Sequence, residues 1–366
     1  MMKHSRRAPQ AGMGCMVRAM AALVLTMCSF AAASFEPLAQ SRYEFGRGLE
    51  FPALHFALRG YTSAKAQDLE GLPASLAWHD LSLFAIWSPT PSWQVFSEIE
   101  GEDLLAYDDR GVHSREADVQ VERLYVDHTT SRYSTVRAGR FLTPFGRWNQ
   151  IHADPLVWTV TRPLVTVIAI PDHVSGVMVY GTVPLTRNSI EYGAYIDASD
   201  EFDPDHGHGS FEDYNLIGLS NDMEHAAGGQ LRYHFLDEHA QIGASYASFA
   251  VDGASGYHHL FGLDGIYTWH RFELSSEVVY RANIDQAGRD DWGGFVQLVV
   301  PLIERYYAVG RLEYYSSGPL SQDAQRGTVG LVWRPQAAIS FKFEYHEGSD
   351  RSLLPDGIEL SCGLLF

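Results

Sequence analysis

Charged side chains of both signs recur at every second position in many parts of this 366-residue chain. Near residue 275, Arg271, Glu273 and Glu277 alternate with the apolar residues Phe272 and Leu274. Because successive side chains of a strand point to opposite faces, this spacing gathers the charges on one face and the apolar groups on the other. Acidic and basic rows that oppose each other across a narrow aqueous gap create a transverse field, which orients dipolar solutes. The pattern therefore predicts an interior wall that selects solutes.

The charges expected on this wall are unevenly distributed along the chain. Most of the basic residues belong to late strands, whereas early strands with Asp80, Glu98 and Glu100 are acidic. Pairing of Arg with Glu between neighbouring strands, which would only fill space, is the alternative role of the charged residues. The predicted wall residues are Glu98, Glu100, Arg271, Glu273, Arg281, Arg305, Arg311, Glu313, Arg334, Lys342 and Glu344.

Residue types that a hydrolase needs are also present, but without a supporting motif. Ser245 and Ser275 lack the G-x-S-x-G sequence that places a nucleophilic serine on a sharp turn. With 16 histidines in the chain, Asp/His neighbours arise by chance. We predict that there is no catalytic residue and keep a hydrolase as an alternative. The other residues considered for this chemistry are His234, His258, His259 and Asp264.

An acidic, histidine-bearing stretch at residues 200–209 is a weak candidate for holding a cation. Carboxylate and imidazole groups are ligands for divalent metals, but the spacing here matches no metal motif. A solvated loop is the favoured interpretation, so neither a metal nor a cofactor is predicted. Ca²⁺ bridging from this loop to lipopolysaccharide phosphates is a further hypothesis. The weak candidate ligands are Asp203, Asp205, His206 and His208.

Alternation of apolar and polar residues continues almost to the end of the chain and predicts an all-β, transmembrane antiparallel barrel of about 16 strands. A soluble β-sandwich also alternates, but it does not explain Arg, Glu and Lys on the polar face of nearly every strand. Strand numbers of 14 or 18 remain alternatives. The strands are predicted at 52–62, 76–88, 92–102, 117–128, 132–141, 174–184, 188–198, 226–236, 240–251, 257–268, 271–282, 292–301, 304–315, 326–334, 337–347 and 357–366.

The connections support the same architecture. Tight turns alternate with longer polar linkers such as 65–73, 103–116 and 200–213, as in barrels with short turns on one membrane side and long loops on the other. In the fourth strand the alternation changes phase near Glu122 and Arg123, which predicts a β-bulge. Aromatic residues gather where strands meet tight turns, as in an interfacial girdle. They are Trp87, Trp93, Tyr133, Trp269, Phe272, Tyr306, Trp333 and Phe366.

Residues 141–172, after the fifth predicted strand, break the alternation. Four prolines interrupt any long strand there, and the stretch is too apolar for a free surface loop. We expect it to pack inside the barrel, where it either narrows or closes the lumen. Its aromatic residues, together with Arg147 and His152, offer an alternative role in plugging the lumen or binding a specific solute. The candidate constriction residues are Arg147, His152, Asp154 and Arg162.

The first 33 residues have the pattern of a cleaved signal peptide. Lys3, Arg6, Arg7 and Arg18 form a basic region around a short apolar run at 19–33, with residues 37–39 as a second cleavage candidate. Removal of residues 1–33 leaves 23 basic residues against 45 acidic ones, a net charge of −22. Such a charge argues against binding to nucleic acid. Residues 34–366 are expected to form a single barrel domain.

The C-terminal residues and the motif before the proline-rich stretch resemble known families. Ile358, Leu360, Leu364 and Phe366 lie on one apolar strand face, which resembles the C-terminal strand of Gram-negative outer-membrane barrels. The sequence GRFLTPFG at 139–146 resembles the strand-end motif of the phosphate-selective-porin-like group of porins. That resemblance also includes an inward loop after the fifth strand. Phosphate selectivity is not carried over, because the predicted lumen is mixed and the chain is acidic.

The resemblance implies a porin in the outer membrane of a Gram-negative bacterium. Its expected activity is passive diffusion of small hydrophilic solutes or ions, and its expected assembly is a homotrimer in contact with outer-membrane lipid and lipopolysaccharide. Phe366 is then the signal read by the barrel-assembly machinery. The alternative functions are an outer-membrane barrel hydrolase, of lipase or protease type, and a substrate-specific channel for a more apolar ligand.

Overall fold

The strands of the computed structural model form one continuous antiparallel sheet that closes on itself. The structure describes residues 41–114, 117–151, 153–198, 223–251, 256–283, 290–317, 322–349 and 354–366. Sixteen long strands in these ranges pair in chain order, and the last pairs with the first. They are β1 (Phe56–Leu69), β2 (Ser75–Thr90), β3 (Trp93–Asp108), β4 (Asp118–Ser131), β5 (Ser134–Leu142), β6 (His173–Pro184), β7 (Ser189–Asp197), β8 (Met223–Phe235), β9 (Ala240–Val251), β10 (Tyr257–Trp269), β11 (Phe272–Asn283), β12 (Asp291–Ile303), β13 (Tyr306–Ser317), β14 (Gln322–Gln336), β15 (Ile339–Gly348) and β16 (Gly357–Leu365).

Helical and minor strand elements are few in the described part of the chain. Short strands lie at Arg42–Glu44, Gly48–Phe51 and Gly111–His113. Single 3₁₀ turns lie at Pro52–Leu54, Trp148–Gln150 and Asp154–Leu156, and the α-helix α1 covers Leu164–Ala169. None of these helices has the length and apolarity that a membrane-crossing helix requires.

The seam between β16 and β1 closes the barrel. Leu365 lies opposite Tyr61 in the register of this pair. One residue further, the Phe366 amide donates to the Gly60 carbonyl at 2.9 Å, and the Gly60 amide donates to the Phe366 carbonyl at 2.8 Å. Closure leaves no strand edge with unpaired backbone groups, which is the condition for a sheet to exist in lipid. The predicted sixteen-stranded antiparallel barrel is confirmed.

Residues alternate between the two faces of the wall as the sequence predicts. On β15, Phe341 and Phe343 are exposed on the outside, whereas Lys342 and Glu344 are buried on the inside. On β16, Leu360 lies outside, between inward residues that are buried. The fold therefore has an apolar outer surface and a polar interior, the arrangement in which each face meets its own solvent.

The phase change in β4 is a β-bulge. Arg123 lies opposite Glu98, but Val121 rather than Glu122 lies opposite Ile99. The extra residue at 122 shifts the alternation by one position, because side chains of a strand repeat every two residues. As a result, Tyr125 and every second residue after it point inward. The predicted bulge is confirmed at the predicted place.

Aromatic rings stack in neighbouring strands at the short-turn end of the barrel. Trp269 stacks on Phe272 with centroids 5.6 Å apart. Trp333 stacks on both Tyr306 and Phe341, at 5.8 and 5.0 Å. These rings are exposed on the outer surface, which is the position of an interfacial girdle.

Several predicted boundaries were wrong on the long-loop side. Residues 65–69 were expected in a linker, but β1 continues to Leu69, and Lys65 lies opposite Ser361. Residues 103–108 likewise belong to β3, which then pairs with the short strand Gly111–His113. Strand ends that extend beyond the apolar outer surface of the barrel keep their backbone hydrogen bonds but have no apolar face. Their amino-acid composition therefore resembles that of a loop.

Candidate functional site

The lumen contains the connection between β5 and β6, residues 143–172, which we term the inserted segment. Its helix α1 packs against the inner faces of β11, β12 and β13, and its turn at Asp154–Leu156 lies against β1, β15 and β16. Most of the helix is buried, as are Phe145 and Trp148 before it. Because these apolar groups pack against the inner wall, the segment lies inside the barrel. Residue 152 of the segment is outside the described residues.

The N-terminal part of the segment is bound to β8, β9 and β11. The Gly146 amide donates to the Ser245 hydroxyl at 3.2 Å, and the Gly146 carbonyl accepts from the Arg232 guanidinium. The buried Glu277 Oε2 accepts from the amides of Arg147 at 3.1 Å and Trp148 at 3.5 Å. Two consecutive amides that donate to one carboxylate fix the direction of the chain, because hydrogen bonds to a charged group are stronger than those between neutral groups.

Gly146 explains why the segment can turn at this point. Its φ is +58°, and a Cβ built there would lie 2.2 Å from Glu277 Oε1. Both the left-handed backbone and the close carboxylate exclude a side chain. The glycine that ends the GRFLTPFG motif therefore has a local structural role in bringing the chain against β11.

A second attachment joins the middle of the segment to β13 and β14. Arg311 and Arg326 both donate from Nε to Glu313 Oε1, at 3.0 and 2.7 Å. Glu313 Oε2 accepts from the Leu164 amide at 2.7 Å, at the N-terminus of α1. Arg311 Nη2 donates to the Thr161 hydroxyl at 2.7 Å. The carboxylate is thus shared between two wall arginines and the segment backbone, and all three charged groups are buried.

A third attachment involves β15 and β16. Lys342 Nζ donates to Asp154 Oδ1 at 2.7 Å and to its carbonyl at 2.8 Å, while the Ser361 hydroxyl donates to Asp154 Oδ2 at 2.8 Å. Glu344 accepts from the amide of Val160 at 2.7 Å. Each buried charge has an opposite charge or a backbone donor, which offsets the cost of removing it from water.

Most of the predicted wall residues on late strands therefore contact the segment. Glu273 accepts from Trp158 Nε1 at 3.0 Å, and Arg334 Nη2 donates to the carbonyls of Leu156 and Val157 at 3.0 and 3.1 Å. The Arg334 guanidinium also lies 3.9 Å over the Trp158 ring. The sequence alone does not reveal that these side chains form hydrogen bonds with the inserted segment and not with water. Their predicted part in solute selection stays a prediction.

Two predicted wall residues lie elsewhere. Arg271 and Arg305 occupy the tight turns between β10 and β11 and between β12 and β13. Arg271 Nη2 donates to the Ile303 carbonyl at 2.9 Å, and Arg305 Nη1 to the Pro335 carbonyl at 2.6 Å. Both lie in turns and not within the strands where they were predicted. The Arg271 guanidinium lies 4.8 Å over the ring of Tyr307, which packs on Trp158 of the segment, and the predicted part of both residues in the pore stays a prediction.

Other predicted residues pair between strands or lie in the segment. Arg281 Nε donates to Asp291 Oδ2 at 2.7 Å on the next strand, a buried cross-strand pair. Among the constriction candidates, Arg147 Nη1 reaches Gln241 Oε1 at 3.5 Å, and the Arg162 carbonyl accepts from Arg326 Nη2 at 2.7 Å. His152 and the weak metal candidates Asp203, Asp205, His206 and His208 lie outside the described residues.

Buried carboxylates lie on the inner side of β2, β3 and β4, and we term them the acidic wall: Asp80, Glu98, Glu100, Glu102 and Glu122. Carboxylate oxygens of Asp80, Glu100 and Glu102 lie within 4.8 Å of one another. The Ser63 hydroxyl donates to Asp80 at 2.7 Å. The early strands are thus acidic on the inside, as their composition predicts.

Solved structures share this architecture. OmpF of Salmonella typhi superposes with a TM-score of 0.56 at 9% identity, over 89% of this chain and 100% of that chain. An anion-selective porin from Comamonas acidovorans gives 0.55 at 13%, over 85% and 99%. The outer membrane channel DcaP of Acinetobacter baumannii gives 0.56 at 10%, over 85% and 97%. The chain has a porin-like fold. No family model and no curated protein sequence matches it.

The hydrolase candidates of this porin-like barrel have other partners. Ser245 contacts the Gly146 amide, as described above, and the His259 ring nitrogen Nδ1 is 2.8 Å from the Tyr246 hydroxyl. His234 faces Glu191 and Glu238, at 3.4 and 3.3 Å. Gln241 Nε2 donates to Asp264 at 3.1 Å. Ser275 and His258 belong to β11 and β10. These contacts bind the segment and neighbouring strands together, whereas a triad needs serine, histidine and carboxylate in one chain of hydrogen bonds.

Proposed function

We propose that this protein is a passive diffusion channel for small hydrophilic solutes and ions in the outer membrane of a Gram-negative bacterium. The observation that carries the proposal is the closed porin-like barrel with the inserted segment bound to its inner wall, where its apolar residues also share one buried cluster with Tyr125 of β4. The hydrogen bonds described above join it to β8, β9, β11 and β13–β16. In a closed ring of sixteen strands, strands eight places apart face each other, so β3 lies across the lumen from β11. We propose that the path for solutes runs between the segment and the strands β2–β4, past the buried carboxylates of the acidic wall.

On this basis the segment narrows the lumen and does not close it. The face of the segment that contacts the wall is apolar, and its charged contacts are paired. These contacts hold the segment in a fixed position. Glu98 is paired with Arg123, so the negative potential that we propose for the path comes from Asp80, Glu100 and Glu102, because low-dielectric walls concentrate the field of nearby charges. A preference for cations follows. An anion-selective porin has a similar fold, so the proposed cation preference rests on the charges of this chain and not on its fold.

Single-channel conductance and reversal potential in planar bilayers test the proposal. The full-length mature protein is expected to conduct, with a reversal potential in a KCl gradient that indicates cation preference. Glu102→Gln is expected to shift this potential towards anions. Glu304→Gln, which removes the same charge from an exposed turn, is the matched control and is expected to leave it unchanged. A folded protein without conductance contradicts the channel, and equal shifts in both variants contradict the acidic wall.

We also propose the processing and assembly that the sequence predicts. Residues 1–33 are removed as a signal peptide, and residues 34–366 form the barrel, with Phe366 read by the assembly machinery. OmpT of Vibrio cholerae, at 10% identity, has been solved in a trimer form. A homotrimer in contact with lipid and lipopolysaccharide is accordingly the proposed state. Mass spectrometry of the exported protein and chemical crosslinking in outer membranes test the two parts separately.

A further inference from the structure

A buried polar cluster lies on the inner face of the last two strands, and its composition is not required by a diffusion channel. We term it the β15–β16 cluster: Glu344 and His346 on β15, and Glu359 on β16. Glu344 lies directly opposite Glu359 in the register of the pair, and His346 is two residues further along the same face. Each of the three residues is exposed by 1% or less. One nitrogen or carboxylate oxygen from each lies within 4.8 Å of the others, so the three groups share one small space.

The two carboxylates that face each other in the cluster carry the same charge. Like charges directly opposite each other destabilise a strand pair, and burial strengthens the repulsion because it removes the water that screens it. Backbone amides of the inserted segment offset part of this cost at Glu344, where Oε2 accepts from Val160 at 2.7 Å and Oε1 accepts from Thr161 at 3.0 Å. Each carboxylate oxygen has a second lone pair and can still bind a cation. A cation between the strands converts the repulsion into two attractive contacts.

The imidazole of His346 points into the same space without a hydrogen bond of its own. Its Nδ1 is 3.9 Å from Glu344 Oε1, which is longer than a hydrogen bond. Among the residues that the structure describes, neither Nδ1 nor Nε2 of His346 has a hydrogen-bond partner. The hydroxyl of Thr328, opposite His346 on β14, is also buried without such a partner in the described ranges. Because buried polar groups of native proteins are nearly always satisfied, this imidazole indicates a ligand.

The positive charges near the cluster have other carboxylates available. The two arginines of the second attachment lie close to His346, but both donate to Glu313. Lys65 Nζ is 3.5 Å from Glu359 Oε1. The Lys65 side chain also lines a cavity of about 220 Å³, together with Asp103 and Asp108. An ion that enters the cluster can therefore displace the ammonium of Lys65 towards these two carboxylates.

We propose that the β15–β16 cluster is a binding site for Zn²⁺ or a chemically similar divalent ion. An imidazole nitrogen with two carboxylates suits zinc, whereas Ca²⁺ and Mg²⁺ prefer oxygen ligands alone. Zinc at about 2.0–2.1 Å from tetrahedral ligands spaces them about 3.3 Å apart, so small side-chain movements complete the site. Three protein ligands leave the fourth position to water. The ion joins β15 to β16 and, through Glu344, to the inserted segment, and its binding does not depend on conduction.

Binding of Zn²⁺ to the untagged protein, purified in detergent from outer membranes, tests the site. Calorimetry and equilibrium dialysis are expected to show one tightly bound zinc per barrel, and Ca²⁺ is expected to bind at least tenfold more weakly. Free Zn²⁺ at about 100 times its dissociation constant is expected to raise the ratio of folded to unfolded protein about 100-fold, which is measured as a higher unfolding temperature. X-ray absorption at the zinc edge is expected to show nitrogen and oxygen ligands without sulfur, which distinguishes the cluster from Cys362.

The variants separate the loss of a ligand from a loss of folding. His346→Gln and Glu359→Gln each remove one ligand and are expected to weaken zinc binding at least tenfold. His239→Gln removes an imidazole from an exposed turn and is the matched control, with unchanged binding expected. Lys65→Met removes the competing ammonium and is expected to strengthen binding at least threefold, a gain that a misfolded barrel does not produce. Heat-modifiable migration on gels shows that each variant is folded.

Each result has a distinct meaning for the site. A folded wild-type protein that binds no zinc refutes it. Equal affinity in the wild type and in His346→Gln refutes the cluster as the location of the ion, and so does an equal loss of affinity in His239→Gln. Preferential binding of Ca²⁺ refutes the assignment to zinc. A protein that conducts without binding zinc leaves the proposed function intact, so the two proposals fail separately.

Discussion

Replacement of Arg311 by Met provides a quantitative test of how the inserted segment is held. In the native barrel, Arg311 donates to the hydroxyl of Thr159 at 2.6 Å and to the hydroxyl and carbonyl of Thr161 at 2.7 and 3.0 Å. Met retains much of the apolar stem but none of these donors. Hydrogen bonds from charged donors contribute about 1.5–3 kcal/mol each, and removal of one partner from a buried pair costs about 3–5 kcal/mol.

The expected loss lies near the lower end of that range. Glu313 keeps its contacts with Arg326 and the Leu164 amide, so its charge stays paired in the variant. A loss of about 3 kcal/mol makes the locally detached state of residues 159–164 ~100-fold more populated. The attachments at Glu277 and Lys342 remain, so we expect local opening and an intact barrel.

Hydrogen exchange and current noise measure this opening. The amides of residues 159–162 and of Leu164 are expected to exchange ~100-fold faster in Arg311→Met, because Pro163 has none. Single-channel records are expected to show frequent transitions between conductance levels. Arg305→Met removes the same charge from an exposed turn and is the control. Unchanged exchange together with unchanged noise would refute the reasoning, because it would mean that the buried guanidinium does not hold the segment.

Three further predictions concern other contacts. Gly146→Ala places a Cβ close to Glu277 at a residue with left-handed backbone, and we expect the amides at 146–148 to exchange faster than in the wild type. Exchange at the wild-type rate would show that the Glu277 carboxylate moves away freely. Lys342→Met leaves the partly buried Asp154 carboxylate without its cationic partner, and we expect a lower unfolding temperature in detergent than for an outward Phe343→Ala control. Deletion of Phe366 removes two backbone hydrogen bonds at the seam, and we expect less heat-modifiable barrel in outer membranes; wild-type yield would contradict a role in closure.

The strands could be predicted because alternation is a local signal. Each strand that crosses the apolar band shows two different environments within a few residues, as β15 does with Phe343 outside and Lys342 inside. Even the bulge at Glu122 is visible as a change of phase. Beyond the apolar band both faces of a strand meet polar surroundings, so apolar and polar residues no longer alternate. The upper part of β1, around Lys65, was therefore assigned to a linker.

The site could be predicted only in outline. Prolines and apolar residues indicate that 143–172 packs against something, but nothing local specifies which wall residues bind it. The inward position of Phe84 and Phe96 was missed for a related reason. Phe84 and Phe96 lie in strands whose two faces are both apolar near the short-turn end, so a ring that faces the lumen resembles one that faces lipid. The phase of Ser82 and Glu98 is the signal that distinguishes them.

The attachment of the segment to distant strands also sets an order for folding. Neighbouring strands of the wall are joined by short turns, so their pairing closes small loops. The Thr161 amide, by contrast, meets Glu344 across 183 residues, and Lys342 meets Asp154 across 188. Contacts between such distant parts of a chain form slowly, because a large loop must close before they stabilise anything. The seam, where Leu365 lies opposite Tyr61, joins still more distant parts of the chain, so the segment contacts and the seam both form late. A chain whose late strands have not yet paired lacks the side chains that hold the segment, so the segment reaches its final position only when the wall is complete.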